Sequence, residues 1–248
     1  MNKNTQETPA VQADEAKLSD ETASPDHAKR PIRSFVLRQG RYSLAQARAH
    51  ENLMPQWGIT FQKAELDFAT AFGRAAPTVL EIGFGMGETS AAIAKLLPEK
   101  NFIGVEVHTP GVGSLLRYCQ IDNLQNIRII QHDAVEVLNH MIADASLQGL
   151  HIYFPDPWPK LRHHKRRLIQ PEFVKLLTRK LAPNGYLHLA TDWENYAEQM
   201  LNVLSAEPNL SNTAGGYAPR PAWRSESNFE RKGINKGHGL WDLLFTKA

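Results

Sequence analysis

The chain has 248 residues, 42% of them hydrophobic, and a formal net charge of +2. That is enough for one large domain plus an appendage, and too close to neutral to name a partner by overall charge. No apolar run approaches the ~20 residues that span a bilayer, and a single cysteine, Cys119, excludes an intrachain disulfide or a cysteine metal cluster. Cys119 reads as a small buried hydrophobe rather than a nucleophile, and the whole as a soluble, cytoplasmic protein without a membrane partner.

Charge is spread unevenly along the chain. Residues 1–30 set Glu7, Asp14, Glu15, Asp20, Glu21 and Asp26 against Lys3, Lys17, Lys29 and Arg30, so this end is net negative and the remainder is more basic than the total suggests. With almost no large apolar residue and no periodicity, 1–30 read as a disordered tail, and no apolar stretch marks them as a signal peptide. Residues 31–58, carrying Arg33, Arg38, Arg41 and Arg48, read as a basic, partly extended arm, with the catalytic domain expected over 59–248. Between Phe61 and Phe72, the residues Ala64, Leu66, Phe68, Ala69 and Phe72 fall roughly on one helix face.

From Thr78 short apolar runs alternate with amphipathic segments. Strands are expected at Thr78–Ile82, Phe102–Val107, Ile127–Gln131, Leu150–Phe154 and Gly185–Ala190, with a last one at Leu240–Thr246. Helices are expected between them at Glu88–Leu97, Val112–Ile121, Ala134–Ala143, Pro171–Leu181 and Trp193–Leu204. Pro98 and the Pro183-Asn184-Gly185 turn stop two of these helices where the next strand begins. Asn209 to Gly239 read as a loop rich in Gly, Pro and Arg. Strictly alternating strands and helices imply an α/β fold with a mostly parallel sheet covered on both faces.

The first strand runs into Glu81-Ile82-Gly83-Phe84-Gly85-Met86-Gly87, with a helix directly after. Glycines at the carboxyl end of a strand let backbone approach a ligand closely. A dinucleotide fingerprint would need its third glycine at position 88, where the chain has Glu88, an awkward neighbour for a pyrophosphate. The pattern resembles instead the first motif of class I S-adenosylmethionine-dependent methyltransferases, whose cofactor lacks phosphate and carries a cationic ammonium. Glu106 ends the second strand 23 positions after Gly83, as an acid that binds ribose hydroxyls would. Asp133 follows the third strand, where this resemblance implies an adenine contact. Singly, each acid is as readily a helix cap; together they sit at the ends of three successive strands.

The fourth strand leads into Tyr153–Arg167, YFPDPWPKLRHHKRR. Prolines on both sides fix Asp156 beside Trp158 at a strand end. A run without any acid follows: Lys160, Arg162, His163, His164, Lys165, Arg166 and Arg167. One held carboxylate next to many cations suggests chemistry on a nucleobase gripped by its phosphates. The adjacent histidines have no cysteine or acid at ligand spacing, so no metal site is expected.

With this signature the chain is similar to the bacterial tRNA (guanine-N7-)-methyltransferases over about residues 32–248. Leu189-Ala190-Thr191-Asp192, Arg220-Pro221, Ser227-Asn228-Phe229-Glu230 and Gly237-His238-Gly239-Leu240-Trp241-Asp242 also match. Ser227 stands where the family has threonine, and Asn228 where a basic residue is common. The resemblance implies a Rossmann-like class I methyltransferase fold with a seven-stranded sheet, S-adenosyl-L-methionine as cofactor and tRNA as substrate. It implies a cofactor site made of Glu81, Gly83, Gly85, Gly87, Glu106, Asp133, Ala134 and Asp156, with Asp156 also catalytic. Lys160, Asp192, Ser227, Asn228, Phe229 and Glu230 correspond to substrate-binding positions, and Arg162, His163, His164, Lys165, Arg166 and Arg167 to an RNA-contacting segment.

Guanine N7 carries an exposed lone pair in the neutral base. Its methylation needs no prior deprotonation, so Asp156 is expected to orient guanine by accepting from its N–H groups. Trp158 is read either as a stacking partner for a base or as packing beneath its own loop, and Lys175, Arg179 and Lys180 as a solvated helix face. The competing readings are a methyltransferase acting on another base or an amine, a catalytically silent RNA-binding subunit, and a nicotinamide dehydrogenase, the last disfavoured by the glycine spacing. Monomer and homodimer stay equally open.

Overall fold

A computed structural model describes residues 42–224, 226, 230 and 239–248, which belong to one compact unit. The 1–30 tail and residues 31–41 of the arm lie outside the described residues. Among the described residues a seven-stranded sheet runs in the order β3-β2-β1-β4-β5-β7-β6. The strands are β1 (Thr78–Ile82), β2 (Asn101–Val105), β3 (Ile127–Ile130), β4 (Leu147–Tyr153), β5 (Leu181–Thr191), β6 (Leu210–Asn212) and β7 (Trp241–Lys247). The first five pair in parallel, while β7 lies antiparallel between β5 and β6.

The helices are α1 (Leu44–Trp57), α2 (Phe68–Phe72), α3 (Glu88–Leu96), α4 (Thr109–Ile121), α5 (Ala134–His140), α6 (Pro171–Lys180) and α7 (Glu194–Ser205). Alternation along β1 sends Val79 into one hydrophobic cluster and Leu80 and Ile82 into another, because successive strand residues face opposite sides. Val79 packs with Ile93 of α3, Leu115 and Leu116 of α4 and Trp57 of α1. The other face is covered by Val137 of α5, Leu177 of α6 and Met200 of α7. Cys119 lies in the first of these clusters, where burial pushes its thiol up to about 12, and is no nucleophile at neutral pH.

Four elements depart from the expectations. Residues 44–57 form a helix rather than an extended arm, opened by a capping box in which Ser43 and Gln46 satisfy each other's backbone N–H groups. Gly113 of α4 lets it approach, since a Cβ there would lie 2.5 Å from the Gln46 carbonyl oxygen. The Phe61–Phe72 pattern yields a helix only over α2, capped by Asp67. The Pro183–Gly185 turn lies within β5 as a register shift, with Asn184 at φ 61°, because Leu181 already pairs with Leu147. The short edge strand β6 occupies part of the expected 209–239 loop.

Candidate active site

Strand order reverses between β1 and β4, the switch point at which open α/β sheets bind ligands. A cavity of about 300 Å³ opens there, at the carboxyl ends of β1 to β4. Gly83, Glu106, Asp133, Ala134 and Asp156 all line it, so five of the residues expected from the sequence converge on one space.

Gly83, Gly85 and Gly87 all have positive φ (73°, 57° and 75°), a conformation that side chains resist. The turn also packs tightly, because a Cβ on Gly87 would meet Leu115 Cβ at 2.5 Å. Glu106 is clamped to this turn. Its Oε2 accepts from the Gly85 N–H at 2.9 Å, and its Oε1 from the N–H groups of Val107 and His108 at 2.7 and 2.9 Å. Asp133 both lines the cavity and caps α5, Oδ1 accepting from the N–H groups of Val135 and Glu136 at 2.9 and 3.0 Å. The capping role and the site role are therefore compatible. Glu81 is buried one residue before the strand end; burial pushes its carboxyl up to about 7, opposed by the Ser90 hydroxyl and reinforced by the charge of Glu106.

The remaining wall is largely apolar, including Ile82, Val105, Val107, Val135, Phe154 and Leu168, and no lysine or arginine of the described residues lines it. Carboxylates, a glycine turn and apolar walls fit a cofactor with ribose hydroxyls, a base and a cationic end. They do not fit a pyrophosphate.

Asp156 stands exposed at this cavity on a strained loop, with Phe154 at φ 51° and Trp158 at φ 44°. Arg166 covers Trp158, its guanidinium carbon 3.9 Å from the ring centroid, and His163 meets the ring edge-on at 5.8 Å. Trp158 thus packs within its own loop, the second of the two readings. A 3-10 turn, Leu161–Arg166, carries the basic run. Lys160, Arg162 and Lys165 are exposed, and His163, His164 and Arg166 half-buried.

Arg167 departs from its expected role. It is buried at 2% exposure, lies over the Tyr196 ring, and is held by the Pro157 carbonyl, Gln199 and Asn195. It braces the loop rather than offering charge to solvent. Lys160 and Asp192, which follow the Asp156 loop and β5, do not line the cavity. Ser227, Asn228 and Phe229 lie outside the described residues. Glu230 is buried rather than presented to a substrate, and accepts from Arg224 Nη1 at 2.5 Å. Lys180 is likewise buried, donating to the Ile142 carbonyl and to Asp144, and is no solvated cation.

Sequence reading missed Arg224, His188 and the cavity-lining His108 and His132 as site-related residues. One signal was available: His151 and His188 interrupt strands otherwise buried and apolar.

A family model described as "Putative methyltransferase" matches residues 75–243. The tRNA (guanine-N(7)-)-methyltransferase of Nitrosospira multiformis is 61% identical over 218 residues, covering 88% of this chain and 95% of that protein. The enzyme of the same name from Paraburkholderia xenovorans is 59% identical over 242 residues, 97% of this chain and 93% of that one. Among solved structures the 16S rRNA methyltransferase KamB has a TM-score of 0.54 at 13% identity, covering 76% of this chain and 95% of that one, a likeness of fold.

Proposed function

This chain belongs to the tRNA (guanine-N(7)-)-methyltransferase family and transfers a methyl group from S-adenosyl-L-methionine to N7 of a guanine in tRNA, and we propose that the cavity between β1 and β4 takes the cofactor while Asp156 and the following basic turn hold the guanosine. The observation that carries this is the convergence of Gly83, Glu106, Asp133, Ala134 and Asp156 on one space at the switch point. Glu106, already oriented by three backbone N–H groups, faces the ribose hydroxyls, and Asp133 and Ala134 face the adenine. Glu81 and the Gly83–Gly87 turn receive the methionyl end. The cofactor supplies an electrophilic methyl on a sulfonium.

The chain's own residues then have to align a lone pair that already exists. N7 of guanine is an acceptor in the neutral base, so no base catalyst is required. Asp156 accepts from guanine N–H groups and points N7 at the methyl, and such alignment contributes roughly 7–11 kcal/mol to lowering a barrier. Phe154 and Leu168 exclude water from the reacting side. Lys160, Arg162 and Lys165, with the half-buried Arg166, meet tRNA phosphates, and Asp192 with Ser227, Asn228 and Phe229 completes the substrate side. The guanosine is expected in the tRNA variable loop, and the enzyme works where tRNA is, in the cytoplasm.

Incubating the protein with methyl-labelled cofactor and bulk tRNA, followed by nucleoside analysis, tests this reading. The expected product is 7-methylguanosine. Label in an exocyclic amine, in another base or in no nucleoside would overturn it.

A further inference from the structure

A continuous set of buried polar contacts joins the cavity wall to Glu230. Tyr153, which lines the cavity as the last residue of β4, meets His188 Nδ1 through its hydroxyl at 2.9 Å. His188 Nε2 meets Asp242 Oδ1 at 2.7 Å. Since a carboxylate only accepts, the His188 proton sits on Nε2, and the Tyr153 hydroxyl donates to Nδ1. Arg224 grips Asp242 with two donors, Nε to Oδ1 at 3.0 Å and Nη2 to Oδ2 at 2.9 Å, and turns Nη1 to Glu230. Its guanidinium carbon also lies 5.5 Å from the Tyr153 ring centroid and 5.9 Å from that of Phe154. Every member of this set is buried.

Resting on the reading above, we propose that Arg224 is a positioning residue for methyl transfer. It registers the end of β4, which delivers Asp156, against Asp242 of β7 and the buried Glu230. Arg224 does not line the cavity and touches no reacting atom. What it does is tie together three stretches distant in sequence: Tyr153-Phe154 under its face, Asp242 at the start of β7, and Glu230. A buried ion network of this kind is a weak source of stability, because desolvating its charges offsets their attraction. The planar fork fixes direction as well as distance, which a lysine ammonium cannot do. A displacement of about 1 Å between base and methyl donor costs up to about 100-fold in rate, so the register it sets falls on kcat.

The test is a double-mutant cycle on the two ends of the network. Tyr153→Phe and Glu230→Met each remove one polar contact while keeping side-chain size, and turnover is measured at saturating cofactor and tRNA beside the wild type. Each is expected to lower kcat by about tenfold or more, with the double variant no worse than the poorer single one, because residues coupled through one network do not act additively. Arg224→Lys, if folded by its melting curve, should show the same fall in kcat with cofactor affinity within about threefold of wild type. Losses that multiply in the double variant, or a folded Arg224→Lys with normal kcat, would overturn the proposal. Wild-type protein that makes no 7-methylguanosine would instead sink the functional reading on which it rests.

Discussion

Arg167 Nε donates to the main-chain carbonyl of Pro157 at 2.9 Å, so the last cation of the basic run holds the loop that carries Asp156. The same guanidinium reaches Gln199 and Asn195 on α7 at 2.6 and 3.0 Å. The Asp156 loop is thereby pinned to a helix from the opposite side of the chain's fourth crossover.

Replacing Arg167 with Ala takes the donor from the Pro157 carbonyl, Gln199 and Asn195; the first two are half-buried and water reaches Asn195, so the loss falls mainly on two contacts of about 1–3 kcal/mol each at most. The expected outcome is a Tm lower by several degrees and loss of turnover with tRNA affinity less affected than rate. Thermal melting together with a tRNA titration checks it. A variant with normal stability and weakened tRNA binding would return Arg167 to the phosphate-contacting set.

Arg162 and Lys165 are the opposite case, since both are exposed on the 3-10 turn. Changing both to Ala should flatten the salt dependence of tRNA binding by roughly 1.4–1.8 units of log K per log salt, at about 0.7–0.9 per phosphate. Cofactor affinity should stay as it was. An unchanged slope would move phosphate contact to other cations of the chain.

This division within one basic run shows what a sequence displays and what it hides. The five parallel strands and the glycine turn were legible, because buried parallel strands read as apolar runs and a positive-φ turn at a strand end calls for glycine. That Glu106 and Asp133 would reach one cavity was legible because each closely follows its strand. Arg167 was not: the six polar residues in a row from Arg162 to Arg167 look alike until α7 is folded against them. Glu230 was taken for a substrate contact for the same reason, as its partner Arg224 is fixed by Asp242 only in the folded sheet. Helix α1 was hidden by local signals of the other kind, arginines that suggested an arm and Pro55 inside the last turn. What holds it is Trp57, buried at 3% and donating from Nε1 to the Leu124 carbonyl at 2.7 Å.

Glu81 predicts a pH dependence. Burial raises its carboxyl from 4.5 to about 7, reinforced by Glu106 and opposed by Ser90. A raised acid binds its proton more tightly folded than unfolded, so the free protein loses stability as pH climbs from the unfolded carboxylate range through 7. The loss, about 3 kcal/mol at most for a shift of this size, is complete above 7. If the ionised carboxylate receives the methionyl ammonium, the cofactor's Kd should rise toward tenfold per pH unit as pH falls from about 7 to about 5.5. That window lies below the titration of an α-amine itself. Calorimetry across it, in buffers of different ionisation enthalpy, should also detect a proton released on binding at pH 6. A flat Kd would place the ammonium away from Glu81.

The attacked atom can be separated from the recognised edge. In the reading above N7 reacts, while Asp156 holds guanine through its N–H groups on the other side of the ring. A tRNA whose target guanosine is replaced by 7-deazaguanosine loses the nucleophilic lone pair and keeps the N–H donors, the ring face and every phosphate. Binding should stay within about 1–2 kcal/mol of native, allowing for one lost hydrogen bond at N7, with no methyl transferred to that residue. Changing Asp156 to Ala should do the reverse to the natural substrate: the lone pair remains but is no longer aimed, so turnover falls while the phosphate-driven share of tRNA affinity persists. Label appearing on the deaza residue would mean that an exocyclic nitrogen is the acceptor, and Asp156 would then have to be reconsidered as a base that deprotonates it.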